Sequence, residues 1–173
     1  MKRIGSQLVF CSPEQILRQS AVEISDSGVV TKVFNLTESP VEAASTLFFD
    51  GIISAEIVSL KANRAIDDAI LNKYNYVDLS GGDSVGEKSE KPLIIDFGTT
   101  DSTAIGLILR KHMDEFNDYS IFEIIAACSF YPAAAQGIDL QLQLGLQSRL
   151  LLWQGCDMVN KKLTHQLHIR PLI

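Results

Sequence analysis

Few side chains in this sequence have the type and spacing to do chemistry. His165 and His168 stand at i and i+3 around Gln166-Leu167. On a helix that spacing puts both imidazoles on one side, where they can share a metal ion; on a strand it sends them to opposite faces. Their neighbours Leu163, Leu167 and Ile169 suit a strand, so structural histidines are expected. His112 stands alone in a helical stretch, and no histidine has a Ser or Cys nucleophile beside it in sequence. Gly98-Thr99-Thr100 presents backbone N–H groups and hydroxyls in a turn, which is chemistry suited to phosphate. Asp101 follows two threonines and precedes an apolar helical run, a good N-cap position, and its carboxylate is also of metal-ligand type. Asp114, Glu115 and Asp118 form a small acidic patch that reads as a helix end or solvated face rather than a general acid/base pair. Cys11, Cys128 and Cys156 are odd in number, far apart and without a CxxC pattern. They suit buried thiols acting as small hydrophobes better than a disulfide framework or a structural zinc site.

The elements that must position these residues change character along the chain. Gln7 to Phe10, Val22 to Ile24 and Val29 to Phe34 read as strands, with Ser25-Asp26-Ser27-Gly28 as the loop of a hairpin. Gln15 to Ser20 reads as a helical turn or an irregular connection. Leu47-Phe48-Phe49, Asp50-Gly51 and Ile52-Ile53 repeat a strand–turn–strand pattern. From Ala62 to Tyr76 the apolar residues Ala65, Ile66, Ala69, Ile70 and Leu71 fall at helical spacing. Ser80 to Pro92 has no apolar period and reads as an exposed loop. Leu93 to Gly98 is a buried-type strand. Helices are expected over Ala104 to Arg110, from Ser120 with Glu123 at the capping-box position, and from Pro132 until Gly137. The tail returns to β structure at Arg149 to Trp153 and, after a Gln154-Gly155 turn, at Leu163 to Ile169.

Composition narrows the function classes. The 173 residues are 46% hydrophobic and 21% charged, as in globular proteins. A net charge of −6, with basic clusters no longer than Lys2-Arg3, Arg110-Lys111 and Lys161-Lys162, argues against nucleic acid and anionic membrane surfaces as partners. No apolar run approaches the roughly 18 residues of a membrane span. Leu8 to Cys11 is too short for the core of a signal peptide after Met1-Lys2-Arg3, so a cytoplasmic protein is expected.

The order β-rich, helical, β-rich, together with several local phrases, resembles the amidohydrolase superfamily. Val22-Glu23-Ile24 with Ser27 to Val33 is similar to that family's opening hairpin, and Phe48-Phe49-Asp50-Gly51-Ile52-Ile53 to its approach to the catalytic barrel. Phe97-Gly98-Thr99-Thr100-Asp101-Ser102 resembles the Gly-Thr-Asp-Ser phrase closing the last barrel strand, with one residue extra. Tyr131 to Ile138 resembles the helix that follows, and Leu144-Gly145-Leu146-Gln147-Ser148 the turn before the returning strands. The match spans roughly residues 1–60 and 93–157. Ile95 to Ser102 also resembles the phosphate loop of the actin-like ATPases. That fold begins with this loop and needs two large lobes, so nucleotide binding is not expected from the residues that remain.

The resemblance implies a composite β-sandwich from both chain ends around a metal-dependent barrel that hydrolyses C–N bonds. Its departures imply that the barrel chemistry is lost. The family's His-x-His positions fall on Leu60 and Ala62, with Lys61 between, and neither Leu nor Ala can ligate a metal. Only residues 63–92 stand where most of a barrel of about 250 residues belongs. Among the family's ligands only Asp101 finds a matching position, too few for a catalytic zinc. The expected fold is α+β: a β-sandwich from residues 1–60 and 141–173, with a mainly helical insert of three or four helices over 61–140 and one strand near 93–98, together one domain. The expected function is a non-catalytic, pseudoenzyme role in binding or assembly, with no metal or cofactor, as a homo-oligomer (a homodimer most simply) or with another protein. The alternatives are a divergent hydrolase rebuilt around Asp101, Lys61, His165 and His168, or a regulatory partner of an intact enzyme, as inactive dihydroorotase-like chains are for a transcarbamoylase.

Overall fold

Both faces of the first strand are apolar, and that places it in the middle of the molecule. β1 (Lys2–Ser12) sends Leu8 and Phe10 into one buried cluster and Val9 and Cys11 into another, as alternation along a strand with two covered faces requires. The computed structural model describes residues 1–172, apart from the side chain of Glu42. Among the described residues β1 is flanked by β2 (Gln15–Ile24), antiparallel, and by β4 (Leu47–Ser54), parallel. β3 (Val30–Asn35) pairs with β2, while β7 (Leu151–Gln154) and β8 (His168–Pro171) continue the sheet beyond β4, giving the order β3-β2-β1-β4-β7-β8. Strands from both chain ends therefore share one sheet. The sheet also closes on itself: Val30 N donates to Leu146 O at 2.8 Å and Gly145 N to Val30 O at 2.8 Å, tying the edge strand β3 to the segment that leads into β7. The cluster of Val9, Val22, Ile24, Val30, Ile53, Leu150 and Leu152 fills the space between.

The opposite face carries Leu8, Phe10, Ile52, Leu151, Trp153 and Ile169 and is covered by helices and a second sheet. In that sheet β5 (Asn75–Asp78) and β6 (Leu93–Asp96) run parallel. α3 (Ser102–Lys111) packs on β8, and α4 (Ile121–Cys128) and α5 (Phe130–Ala134) pack on β6. The fold class is α+β, a β-sandwich from both termini with helices packed on it, as the sequence predicts. The start of α4 also matches. Ser120 Oγ accepts from Glu123 N, Glu123 reaches back to Ser120 N, and Ile121, Ile124 and Ile125 face inward at helical spacing.

Several local expectations change. Gln15 to Ser20 is strand, because the tight turn at Pro13-Glu14 lays Ile16 and Leu17 against Phe10 and Val9. Only α2 (Asp68–Lys73) of the expected helix over Ala62 to Tyr76 forms: the Asp67 carboxylate accepts from Ile70 N and starts the helix there, and Tyr76 is drawn into β5 by pairing with Ile94. The loop from Ser80 to Pro92 is pinned in part, with Val85 buried and its N–H on Glu115. In the tail, an irregular segment with a short Asp157–Lys162 bridge separates β7 from β8, so strand structure resumes only at His168.

Asp50-Gly51 is not a turn but an irregularity inside β4. Ser6 and Leu8 of β1 pair with Phe49 and Ile52, so β4 carries one extra residue at this point. Gly51 takes up the extra length at φ +128°, and a Cβ there would lie 2.2 Å from the Trp153 carbonyl oxygen on β7. Beyond the bulge regular alternation resumes, with Ile52 in one buried cluster and Ile53 in the other. Trp153 is fully buried beside it, its indole N–H donating to Ser54 Oγ at 2.9 Å. Gly51→Ala is expected to destabilise the protein by about 3 kcal/mol or more, because backbone strain and a backbone clash act together. Gly28→Ala, at φ +82° with open space around it, is expected to cost about 1 kcal/mol. Urea unfolding of the two variants measures the difference.

Candidate functional site

The two parallel strands end alike, Val77-Asp78 in β5 and Ile95-Asp96 in β6, and their register pairs the two aspartates. Carboxyl ends of parallel strands are where open α/β sheets gather polar function. Asp96 is fully buried. Its Oδ1 accepts the N–H of Leu60 at 3.0 Å, and its Oδ2 accepts the N–H of Lys61 at 3.1 Å and the hydroxyl of Tyr76 at 2.5 Å. Successive backbone amides aimed at one carboxylate form an anion nest, so Asp96 fixes the turn that carries Leu60, Lys61 and Ala62. Burial and then the Asp96 hydrogen bond push the Tyr76 hydroxyl well above the ordinary tyrosine range, which keeps it a donor.

Asp78 lies nearer the surface. Lys61 Nζ donates to its Oδ2 at 2.8 Å and to Ser80 Oγ at 2.6 Å, while Oδ1 accepts from Ser80 N, Ser80 Oγ and Gly81 N. Burial pulls the Asp78 pKa upward, but the hydrogen bonds of Lys61, Ser80 and Gly81 outweigh it and hold the carboxyl below its usual value. Gly98, at φ +71°, lets the turn after β6 approach closely: a Cβ there would lie 2.8 Å from Ser80 Cβ. Lys61 and Ala62 thus share an open cleft of about 500 Å³ with Ser59, Gly98, Thr99 and Thr100.

The residues singled out in the sequence fall in three places. Leu60 is fully buried against Ile70, Tyr74 and Ile94, Ala62 is exposed, and both sit in a turn outside any strand. Asp101 is the N-cap of α3, its Oδ1 accepting from Ala104 N at 2.9 Å, while its own N–H is taken by Thr99 Oγ1. It borders a second cleft with Glu56 and Arg149, which meets the Lys61 cleft at Thr100. His165 and His168 are exposed and line neither cleft. Leu167 and Ile169 on either side of His168 are buried, the alternation of a strand. Among the described residues no three His, Cys, Asp or Glu side chains are grouped to hold a metal ion. His112 pairs with Glu115. Burial raises the thiol of Cys11 to about 11 and that of Cys156 to about 12, and it raises Cys128 as well, so all three stay protonated at neutral pH.

Asp78, Asp96, Tyr76 and Ser80 were not singled out from sequence. The available signal was the repeated apolar-run-then-Asp ending, each followed by a glycine-containing turn.

Compared with known proteins, the chain matches no protein family and no curated protein. Two solved structures of aminofutalosine deaminase from Helicobacter pylori, an amidohydrolase-superfamily protein, are weak neighbours, each at 16% identity. One covers 46% of this chain and 19% of the deaminase with a TM-score of 0.29. The other, in complex with methylthio-coformycin, covers 47% and 20% with a TM-score of 0.26. The chain thus spans about a fifth of the deaminase's length, and a likeness this slight carries no argument about activity.

Asp96→Ala leaves three donors facing a cavity and is expected to cost about 4 kcal/mol in urea unfolding. Asp78 contributes in a pH-dependent way. A carboxyl held below its ordinary value gives stability that is full above that ordinary value and is lost as pH falls from there through the depressed one. Asp78→Asn is therefore expected to destabilise at neutral pH and to flatten the fall in the urea midpoint as pH drops below about 5.

Proposed function

We propose that this chain is a non-catalytic, amidohydrolase-like protein that works by binding, either to a second copy of itself or to another protein. The observation that supports this most is the fate of the turn at Leu60 to Ala62. Where the resemblance calls for two metal-ligating histidines, one side chain fills an apolar cluster with Ile70, Tyr74 and Ile94. The neighbouring carboxylates are engaged by Leu60 N, Lys61 N, Tyr76, Lys61 Nζ and Ser80. The polar groups of this corner hold the fold together and leave little for a substrate. Val41, Leu47 and Phe48, on α1 (Pro40–Ala44) and the start of β4, are large apolar side chains in solvent and offer surface for assembly.

A rebuilt hydrolase is the second reading, favoured by one feature: Lys61, Asp78 and Asp96 do converge at the strand ends. Regulation of an intact amidohydrolase-type enzyme is a form of the binding reading and is recognised by co-purification. Elemental analysis of protein purified without a chelator or a His-tag, paired with sedimentation at micromolar concentration, separates the readings. The expected result is less than about a tenth of an equivalent of zinc, iron, manganese or nickel, with a species larger than the monomer that Phe48→Lys dissociates. A stoichiometric metal, or amide hydrolysis abolished by Lys61→Met, overturns the non-catalytic reading. A strict monomer that co-purifies with no other protein overturns assembly.

A further inference from the structure

The cleft of about 310 Å³ that Asp101 shares with Glu56 and Arg149 gathers charges that do not meet. Among the described residues Arg149 forms no ion pair with either carboxylate, and its guanidinium makes no hydrogen bond. Glu56 Oε1 accepts the hydroxyl of Ser148 at 3.2 Å, and Asp101 Oδ1 accepts from Ala104 N at 2.9 Å. One cation and two carboxylates thus border one concavity, with gaps between opposite charges wider than an ion pair spans. The start of α3 forms part of the same wall. Its first two amides, Ser102 N and Thr103 N, have no acceptor among the described residues, whereas Ala104 N is taken by Asp101. Free N–H groups at a helix start carry partial positive charge and suit an anion. An independent feature sits at the same place. Ser102 is 7% exposed, and its hydroxyl has no partner among the described residues. That hydroxyl is not sealed off: the one side-chain polar atom there that is both sealed and unpartnered is the Tyr119 hydroxyl. It therefore opens on the cleft that Ser102 lines.

A buried serine hydroxyl with nothing to bond, two free amides and an unpaired guanidinium are a set of donors for a carboxylate. A simple anion is repelled there by Asp101 and Glu56, and a simple cation by Arg149. A ligand that carries both charges satisfies both sides of the cleft. Asp101 immediately precedes Ser102, so the two charges of the ligand must lie close together. We propose that this cleft binds a free α-amino acid, its carboxylate taken by Ser102 N, Thr103 N, the Ser102 hydroxyl and Arg149, and its ammonium by Asp101 and Glu56. Ile57 and Leu151, both buried and both lining the cleft, offer apolar contact to a small aliphatic side chain. The site is independent of whether the chain assembles with a protein, because neither the Asp78–Asp96 cluster nor the Val41–Phe48 surface contributes to it.

The test is a titration of the full chain, followed by amide-resolved NMR, with glycine, L-alanine and L-valine as probes. Acetate and ethylammonium carry one charge each, and 6-aminohexanoate carries both charges far apart; these three are the controls. At least one probe is expected to bind saturably, with shifts centred on Ser102, Thr103 and Arg149, and roughly tenfold or more tightly than any control. Arg149→Gln and Glu56→Gln are each expected to weaken that probe about tenfold, and Ser102→Ala roughly fivefold. The thermal midpoint of the free protein is expected to stay unchanged in Arg149→Gln, where no protein contact is lost, and in Glu56→Gln, which keeps the acceptor for Ser148. Binding of none of the three probes at low millimolar concentration overturns the proposal. Equal affinity for acetate, which means a plain anion site, overturns it, as does equal affinity for ethylammonium or 6-aminohexanoate. So does undiminished affinity in either Arg149→Gln or Glu56→Gln.

Discussion

A carboxylate buried as fully as that of Asp96 is tolerated only when donors surround it, and the donors it recruits decide the layout of the helical half of the molecule. Two come from consecutive amides of one turn and one from a tyrosine on the neighbouring strand. Satisfying them draws the chain after β4 onto the end of β6 and fixes where Leu60 packs. It also aims Lys61 at Asp78. The surface ion pair follows from the buried nest, whose amide bonds, together with the packing of Leu60, hold the Lys61 backbone at that distance. Contacts of this kind add as a network rather than as separate pairs.

The β half answers to a different constraint. Its sheet has apolar side chains on both faces, so both need cover. One face is covered by helices and the small parallel sheet, the other by the sheet's own closure through the 145–147 segment. Gly51 is where the two demands meet. The strand gains a residue there, the backbone passes close under Trp153, and Ile52 and Ile53 are handed to different cores. A side chain at position 51 would force the choice between pairing with β1 and pairing with β7.

What could be read from sequence was what is decided locally. The hairpin of β2 and β3, the Ser120–Glu123 capping box and the Asp101 cap all depend on residues within a few positions of one another, and each formed as the residue types dictate. The strand character of Gln15 to Ser20 was hidden because it comes from register with β1, not from alternation in its own residues. The long helix expected after Ala62 fails because Asp67 competes as a start signal, and because Tyr76 is worth more to Asp96 than to a helix face. The site residues Asp78 and Asp96 are 18 positions apart and meet only through parallel pairing, which no local pattern announces. Asp101 was legible as a cap because capping needs only the next three residues.

The Trp153–Ser54 bond joins positions 99 residues apart, and this separation has a consequence for how the chain acquires its shape. During synthesis, β1 to β4 emerge as a four-stranded layer whose outer strand, β4, carries Ile52 and Ile53 on an open edge. That edge is closed by β7, which is made almost a hundred residues later. For the interval between, the nascent layer displays unpaired backbone and a strongly β-forming apolar pair, the condition under which partly made proteins join edge to edge. Pairings between strands so distant in sequence form late, because the loop between them must close first.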